Sequence, residues 1–127
     1  MIALAVAFGG AAGAVARYWV SGWVQDASGS FFPWGTVAVN LTGSLFLGFL
    51  VVWLQASTAS PEVRALWTIG VLGSFTTFST FSYETVTLLQ DGEWGRAGLY
   101  AGGSLLLGVA AVVAGAFLAD RLLRPGG

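Results

Sequence analysis

The chain contains no cysteine, no histidine and no lysine, and charged side chains make up only 9% of its 127 residues. Without thiols or imidazoles it forms no disulfide, offers no thiolate nucleophile and lacks the ligands of most transition-metal sites. Serine and threonine are plentiful, but nothing basic stands ready to activate a hydroxyl. Acid–base chemistry needs paired titratable groups within hydrogen-bond reach, so the expectation is a protein that is not an enzyme. The five arginines are scattered and the formal net charge is −1, which gives nucleic acid no basic face to bind.

What the chain has is apolar length. Hydrophobic residues make up 56% of it, and they fall into four long runs near 2–24, 34–55, 65–89 and 95–119. About 20 apolar residues cross a hydrocarbon core of roughly 30 Å, so each run is long enough to span a bilayer. Short polar joints carry the turn and charge signals: 25–30 with Pro33, then 57–62 with Pro61, then 90–93. The small residues of 11–16 resemble a signal-peptidase site, but no charged n-region precedes them and the apolar pattern resumes beyond Arg17. The expected architecture is a single all-α membrane domain, 1–127, with four transmembrane helices per subunit.

Charge gives orientation little purchase. With an even number of spans, both termini and the middle joint share one side, which holds Arg64, Arg121 and Arg124, while Arg96 lies on the other. The positive-inside bias is therefore about two residues: orientation is weakly specified, and either the chain inserts in both directions or the small bias suffices to fix one. Small residues recur at helix-contact spacing: Gly9 with Gly13, Ser44 with Gly48, Gly98 with Gly102 and Ala111 with Gly115. Such pairs let backbones approach closely in lipid, either inside one four-helix unit or between subunits of an antiparallel dimer.

Two stretches put polarity where lipid penalises it. In the second run Thr36, Asn40 and Ser44 lie at i, i+4 and i+8 on one helix face, where the Asn40 amide either lines a path or binds a neighbouring helix. In the third, 73–84 reads GSFTTFSTFSYE, dense in hydroxyls and ending in an acid. An unpartnered polar group there costs about 2–7 kcal/mol, so the stretch faces protein or water. Gly70 and Gly73 followed by two threonines predict a discontinuous helix. A break exposes carbonyls at one half-helix end and N–H groups at the other, able to hold a cation and an anion respectively. Phe75, Phe78 and Phe81 step at i+3 and form either a packed cluster or rings whose positive edges meet an anion. Arg17 sits within the first run, either as an intramembrane cation or as a snorkelling residue near the span end. Glu84 is the one deep acid. With no second carboxylate to relay a proton, it is assigned a structural role at the end of the third span.

Residues 9–18 (GGAAGAVARY), 35–44 (GTVAVNLTGS) and 73–84 resemble the signatures of the CrcB/Fluc fluoride channel family, in its order and spacing over essentially the whole chain. The resemblance implies a passive fluoride-selective channel of the cell inner (plasma) membrane, a dual-topology antiparallel dimer that exports fluoride and relieves its toxicity. The partner chain is then a second copy or a related chain. It also implies site residues: Phe78 and Phe81 at the pore constriction, Asn40 donating to the ion, and Thr36, Ser79, Ser82, Ser104 and Tyr100 along the path. Arg17 then faces the vestibule, and the carbonyls of Gly73 and Thr76 from both subunits hold a structural Na+ at the dimer interface. Ser74 and Phe75 depart from the Gly and Leu of many members. A proton-coupled small multidrug or guanidinium exporter, the nearest other class, needs a carboxylate in its first span, which this chain lacks. A non-transporting scaffold leaves the Asn40 face and the break without a task.

Overall fold

The computed structural model describes residues 1–126. Helix α1 runs Ile2–Ser28, α2 Trp34–Gln55, α3 Pro61–Ala65, α4 Gly73–Phe75, α5 Phe78–Gln90 and α6 Trp94–Leu123, with a π-helical stretch Leu66–Leu72 joining α3 to α4. No strand occurs among the described residues. Three helices among the described residues, α1, α2 and α6, are long and apolar enough to cross a membrane. The third apolar run is helical over 61–75 and again over 78–90, with two extended residues between.

Local chemistry sets the helix ends. Gly29 takes the left-handed conformation, φ 59°, that closes α1, and Ser60 caps α3 by accepting from the Val63 N–H at 3.2 Å, with Pro61 in the first turn. Helix α1 continues past the predicted end of the first span to Ser28, because Val24, Gln25, Asp26 and Ala27 carry no helix breaker and Gly29 is the first residue that stops it.

Three of the four small-residue pairs put members to work inside the chain. At Gly9 and Gly13, α1 meets the π-helical stretch so closely that a Cβ would stand 2.3 Å from the Leu66 carbonyl oxygen and 2.1 Å from that of Val71. Gly48 on α2 and Gly115 on α6 face each other's backbones in the same way, each leaving 2.0 Å for a Cβ before Val112 O and Leu45 O. Gly98 and Gly102 have nothing within 4 Å and remain on an open face of α6. The π-helical turns fall where Gly70 packs on Gly9 of α1: Gly70 serves close helix contact and the chain does not break there.

The core is small and the surface apolar. Val39, Tyr100, Ala97 and Ala119 are almost fully buried, while Phe8, Trp19, Trp23, Leu106 and Phe117 point outward. That inversion is the arrangement of a helical bundle whose outer solvent is hydrocarbon.

Candidate functional site: a broken helix beside a polar groove

The break lies at Thr76 and Thr77, both extended (φ −86°, ψ 157° and φ −146°, ψ 122°). β-Branched residues accept that conformation, and their hydroxyls take over the backbone groups it frees. Thr76 still closes the preceding turn, its N–H and its Oγ1 both donating to Leu72 O at 3.1 and 3.0 Å. Thr77 caps α5, its Oγ1 accepting from the Thr80 N–H at 3.2 Å. Gly73, by contrast, keeps ordinary helical angles. The threonines make the break; the glycines predicted to weaken the helix lie one turn or more before it.

Asn40 holds the break open. Its Oδ1 accepts from the Thr77 N–H at 2.7 Å and its Nδ2 donates to Thr77 O at 3.1 Å, an amide pairing with backbone like one strand with another. The sequence left Asn40 between helix glue and ion ligand. Here it braces the broken segment, and its NH₂ keeps one further hydrogen for another acceptor.

The break takes the helical donors from the carbonyls of Gly73, Ser74, Phe75 and Thr76. In an unbroken helix Gly73 O would receive the Thr77 N–H and Thr76 O the Thr80 N–H; those donors go to Asn40 Oδ1 and Thr77 Oγ1. Arg17 meets the same carbonyl end: its Nε donates to Ser74 O at 2.9 Å, a cation on the negative pole of a half-helix. Replacing Arg17 by Gln removes that charge and is expected to lower stability by about 1–2 kcal/mol, read as a lower denaturant midpoint in detergent.

A groove of about 240 Å³ runs beside the break, lined by Asn40, Ser44, Thr76, Thr77, Phe78, Phe81, Ser104, Leu105 and Gly108. No charged residue lines it. Phe78 is 80% exposed, with its ring centroid 5.9 Å from that of Phe81, which in turn lies 5.1 Å from Tyr100. The structure thus gathers Asn40, Phe78, Phe81 and Ser104 in one place. Phe75, unassigned from sequence, packs with Thr76 over Gly43, where a Cβ would meet Thr76 Cγ2 at 2.4 Å and the Phe75 ring at 3.1 Å.

Thr36 and Tyr100 form a second cluster one helical turn along. Thr36 Oγ1 and the Tyr100 hydroxyl both donate to Glu84 Oε1, the second at 3.4 Å. Tyr100 is 1% exposed and Thr36 6%, and Glu84 reaches from them into a mouth cavity of about 440 Å³ walled by Phe31, Phe32, Tyr83, Asp91 and Arg96. Ser79 and Ser82 stand outside both cavities: Ser79 Oγ is 3.4 Å from Thr77 Oγ1, and Ser82 Oγ donates back to Phe78 O at 2.9 Å.

Sequence reasoning left Ser44, Thr77 and Glu84 off the candidate lining, and each of them lines one of the two cavities. Ser44 was legible, since it shares the Asn40 face at i+4. Thr77 acts through its backbone, which no residue pattern announces. The link from Glu84 to Thr36 spans 48 positions and has no local signal.

The model of the family described as CrcB-like protein, Camphor Resistance (CrcB), matches residues 4–116. The chain is 49% identical to a protein of Thermus thermophilus named "Fluoride-specific ion channel FluC", over 94% of this chain and 91% of that one. Proteins of the same name from Sulfurovum sp. and Geobacter sulfurreducens are each 47% identical, over 94% of this chain and 94% and 97% of theirs.

Proposed function

Because this chain belongs to the CrcB family, whose model covers residues 4–116, we propose that it is a fluoride-specific ion channel. It conducts fluoride passively and catalyses no reaction. It is a multi-pass protein of the plasma membrane. The observation that carries the reading is the groove at the break, where an amide, hydroxyls and phenyl rings converge without a fixed charge. A small, strongly hydrated anion crosses only if donors replace its water, and leaves only if none of them holds it too tightly. The free hydrogen on Asn40 Nδ2, the Ser44 and Ser104 hydroxyls and the edges of Phe78 and Phe81 meet both conditions; a buried arginine would not.

The order of elements suggests the route. Fluoride passes between the mouth cavity and the groove, past Thr36, Glu84 and Tyr100, with Phe78 and Phe81 at the constriction. Arg17 raises the potential for anions from one side while committed to Ser74 O. Ser79 and Ser82 lie on α5 beyond the groove of one subunit, so a part for them in the path depends on the partner.

The finer architecture follows the same reading. Residues 61–90 make the fourth crossing as two half-helices. Two subunits of opposite orientation associate, and the exposure of Phe78 and the open Gly98 and Gly102 face favour a second chain there. The Gly73 and Thr76 carbonyls, relieved of their helical donors, are the residues that would hold a structural Na+ with their counterparts in the partner. The chain's lack of cysteine makes orientation measurable: a Thr58→Cys variant in intact cells is expected to label to about half from outside and fully after permeabilisation, because the arginine bias is so slight. Complete labelling or complete protection in intact cells would contradict dual orientation.

Growth tests the function itself. Bacteria stripped of their own fluoride exporters and expressing this chain are expected to grow in fluoride that arrests the parent. Arrest at the same fluoride concentration, with the chain present in the membrane, would refute the proposal.

A further inference from the structure

Gln25, near the end of α1, uses its whole side-chain amide on the loop that follows. Nε2 donates to Ser30 O at 2.8 Å and to Phe32 O at 3.0 Å, and Oε1 accepts from the Gly35 N–H at 3.0 Å. Both amide hydrogens and the carbonyl oxygen are committed, each to backbone. The Gly35 N–H belongs to the first turn of α2, where no intrahelical acceptor exists, so Gln25 caps a helix other than its own.

What the loop carries gives this clamp a consequence. The Phe32 ring stands edge-on to Tyr100, 5.6 Å between centroids and 87° between planes, and also contacts Trp34 at 4.7 Å. Tyr100 touches Phe81 and donates to Glu84. Thr36, the residue after the capped Gly35, donates to the same carboxylate oxygen. The backbone groups pinned by Gln25 therefore lead along two short routes, Phe32 to Tyr100 and Gly35 to Thr36, to one carboxylate between the mouth cavity and the groove. Phe31, Phe32 and Pro33 of this loop also wall the mouth cavity.

We infer that Gln25 is a positioning residue for conduction: it never touches the ion, and it fixes the loop that holds Tyr100 and Thr36 on Glu84 at the mouth of the path. This rests on the fluoride-channel reading above. A side chain that only steadied the fold would change how much channel folds and leave each folded channel as conductive as before. One that positions the mouth changes the current through every channel that inserts.

Single-channel fluoride currents in planar bilayers separate the two. Gln25→Met keeps the length of the side chain and removes all three hydrogen bonds; its unitary current is expected to fall about tenfold, the equivalent of roughly 1.4 kcal/mol on a barrier. Phe32→Leu leaves the Gln25 amide its backbone partners and removes the ring edge from Tyr100, and a fall of similar size is expected. Since Gln25 acts in part through Phe32, the double variant should lose clearly less than the product of the two single losses. Wild-type unitary current in Gln25→Met would overturn the inference, and so would strictly multiplicative losses in the double variant. Should Gln25→Met fail to fold, an unchanged current in Phe32→Leu overturns it as well. Absence of fluoride current in the wild-type protein would instead refute the channel reading itself, so the two failures are distinguishable.

Discussion

Replacing Asn40 by alanine should lower fluoride efflux per reconstituted channel by about two to three orders of magnitude, while the protein still purifies as a folded helical species. The estimate follows from the two bonds the Asn40 amide makes with Thr77. Truncation strands the Thr77 N–H inside a low-dielectric bundle at a cost of about 1–3 kcal/mol, while Thr77 O, the N-cap carbonyl of α5, keeps its first intrahelical bond. The chain has one local remedy: the Thr77 N–H can return to Gly73 O and heal the helix. Healing would move Phe78 and Phe81 off the groove and withdraw a carbonyl from the proposed sodium site. Asn40→Asp separates bracing from donation, because a carboxylate still accepts from the Thr77 N–H but opposes Thr77 O and repels an anion. It should conduct no better than the alanine variant. Efflux within threefold of wild type in either variant would show that the break does not depend on this clamp.

Gly48→Ala is expected to destabilise the chain by about 3 kcal/mol, at the upper end of overpacking effects, and to lower its yield from membranes sharply. A methyl at position 48 would sit 2.0 Å from Val112 O and 2.8 Å from Val112 C. Both are backbone atoms, so relief requires α2 and α6 to move apart along the line where Asn40 and Ser104 face the same groove. Gly115→Ala meets Leu45 O at 2.0 Å from the opposite side and should behave alike. Gly98→Ala is the control within one subunit, since nothing lies within 4 Å of that position. If the open α6 face meets a second chain, Gly98→Ala will leave helix content intact and weaken dimerisation. Tryptophan fluorescence during denaturation reads the first effect and light scattering of the purified protein reads the second. An unchanged denaturation midpoint in Gly48→Ala would mean that the two helices are not locked at this contact.

These residues also show how far a sequence carries the argument. Hydropathy and joint chemistry sufficed for an all-helical membrane chain, since a run such as 34–55 has no other stable use. The interruption of the third run was legible from its hydroxyls, because lipid leaves few explanations for so many of them together. Its location was legible in part: the break falls on the two threonines named with the glycines, held open by a partner amide, while Gly70 serves close packing against Gly9 and Gly73 stays helical. Asn40 stood out as an intramembrane amide, but its contact lies 37 positions away and goes to backbone, which no side-chain pattern encodes. The partners of Glu84 were hidden for a related reason. Near a span end in sequence, it meets Thr36 and Tyr100 in space, and only the packing of α2, α5 and α6 brings those three together. Ser79 and Ser82 show the converse: the motif that identifies the family places them in a single subunit without giving them a cavity to line.

The central claim is that fluoride crosses along the uncharged groove held open by Asn40. Purified protein in liposomes loaded with equal fluoride and chloride, with valinomycin carrying the counter-charge and ion-selective electrodes outside, tests it most directly. Rapid fluoride release with chloride retained, both abolished as a difference by Asn40→Ala, is the result expected. Equal release of the two anions, or release of neither from folded wild-type protein, would contradict it.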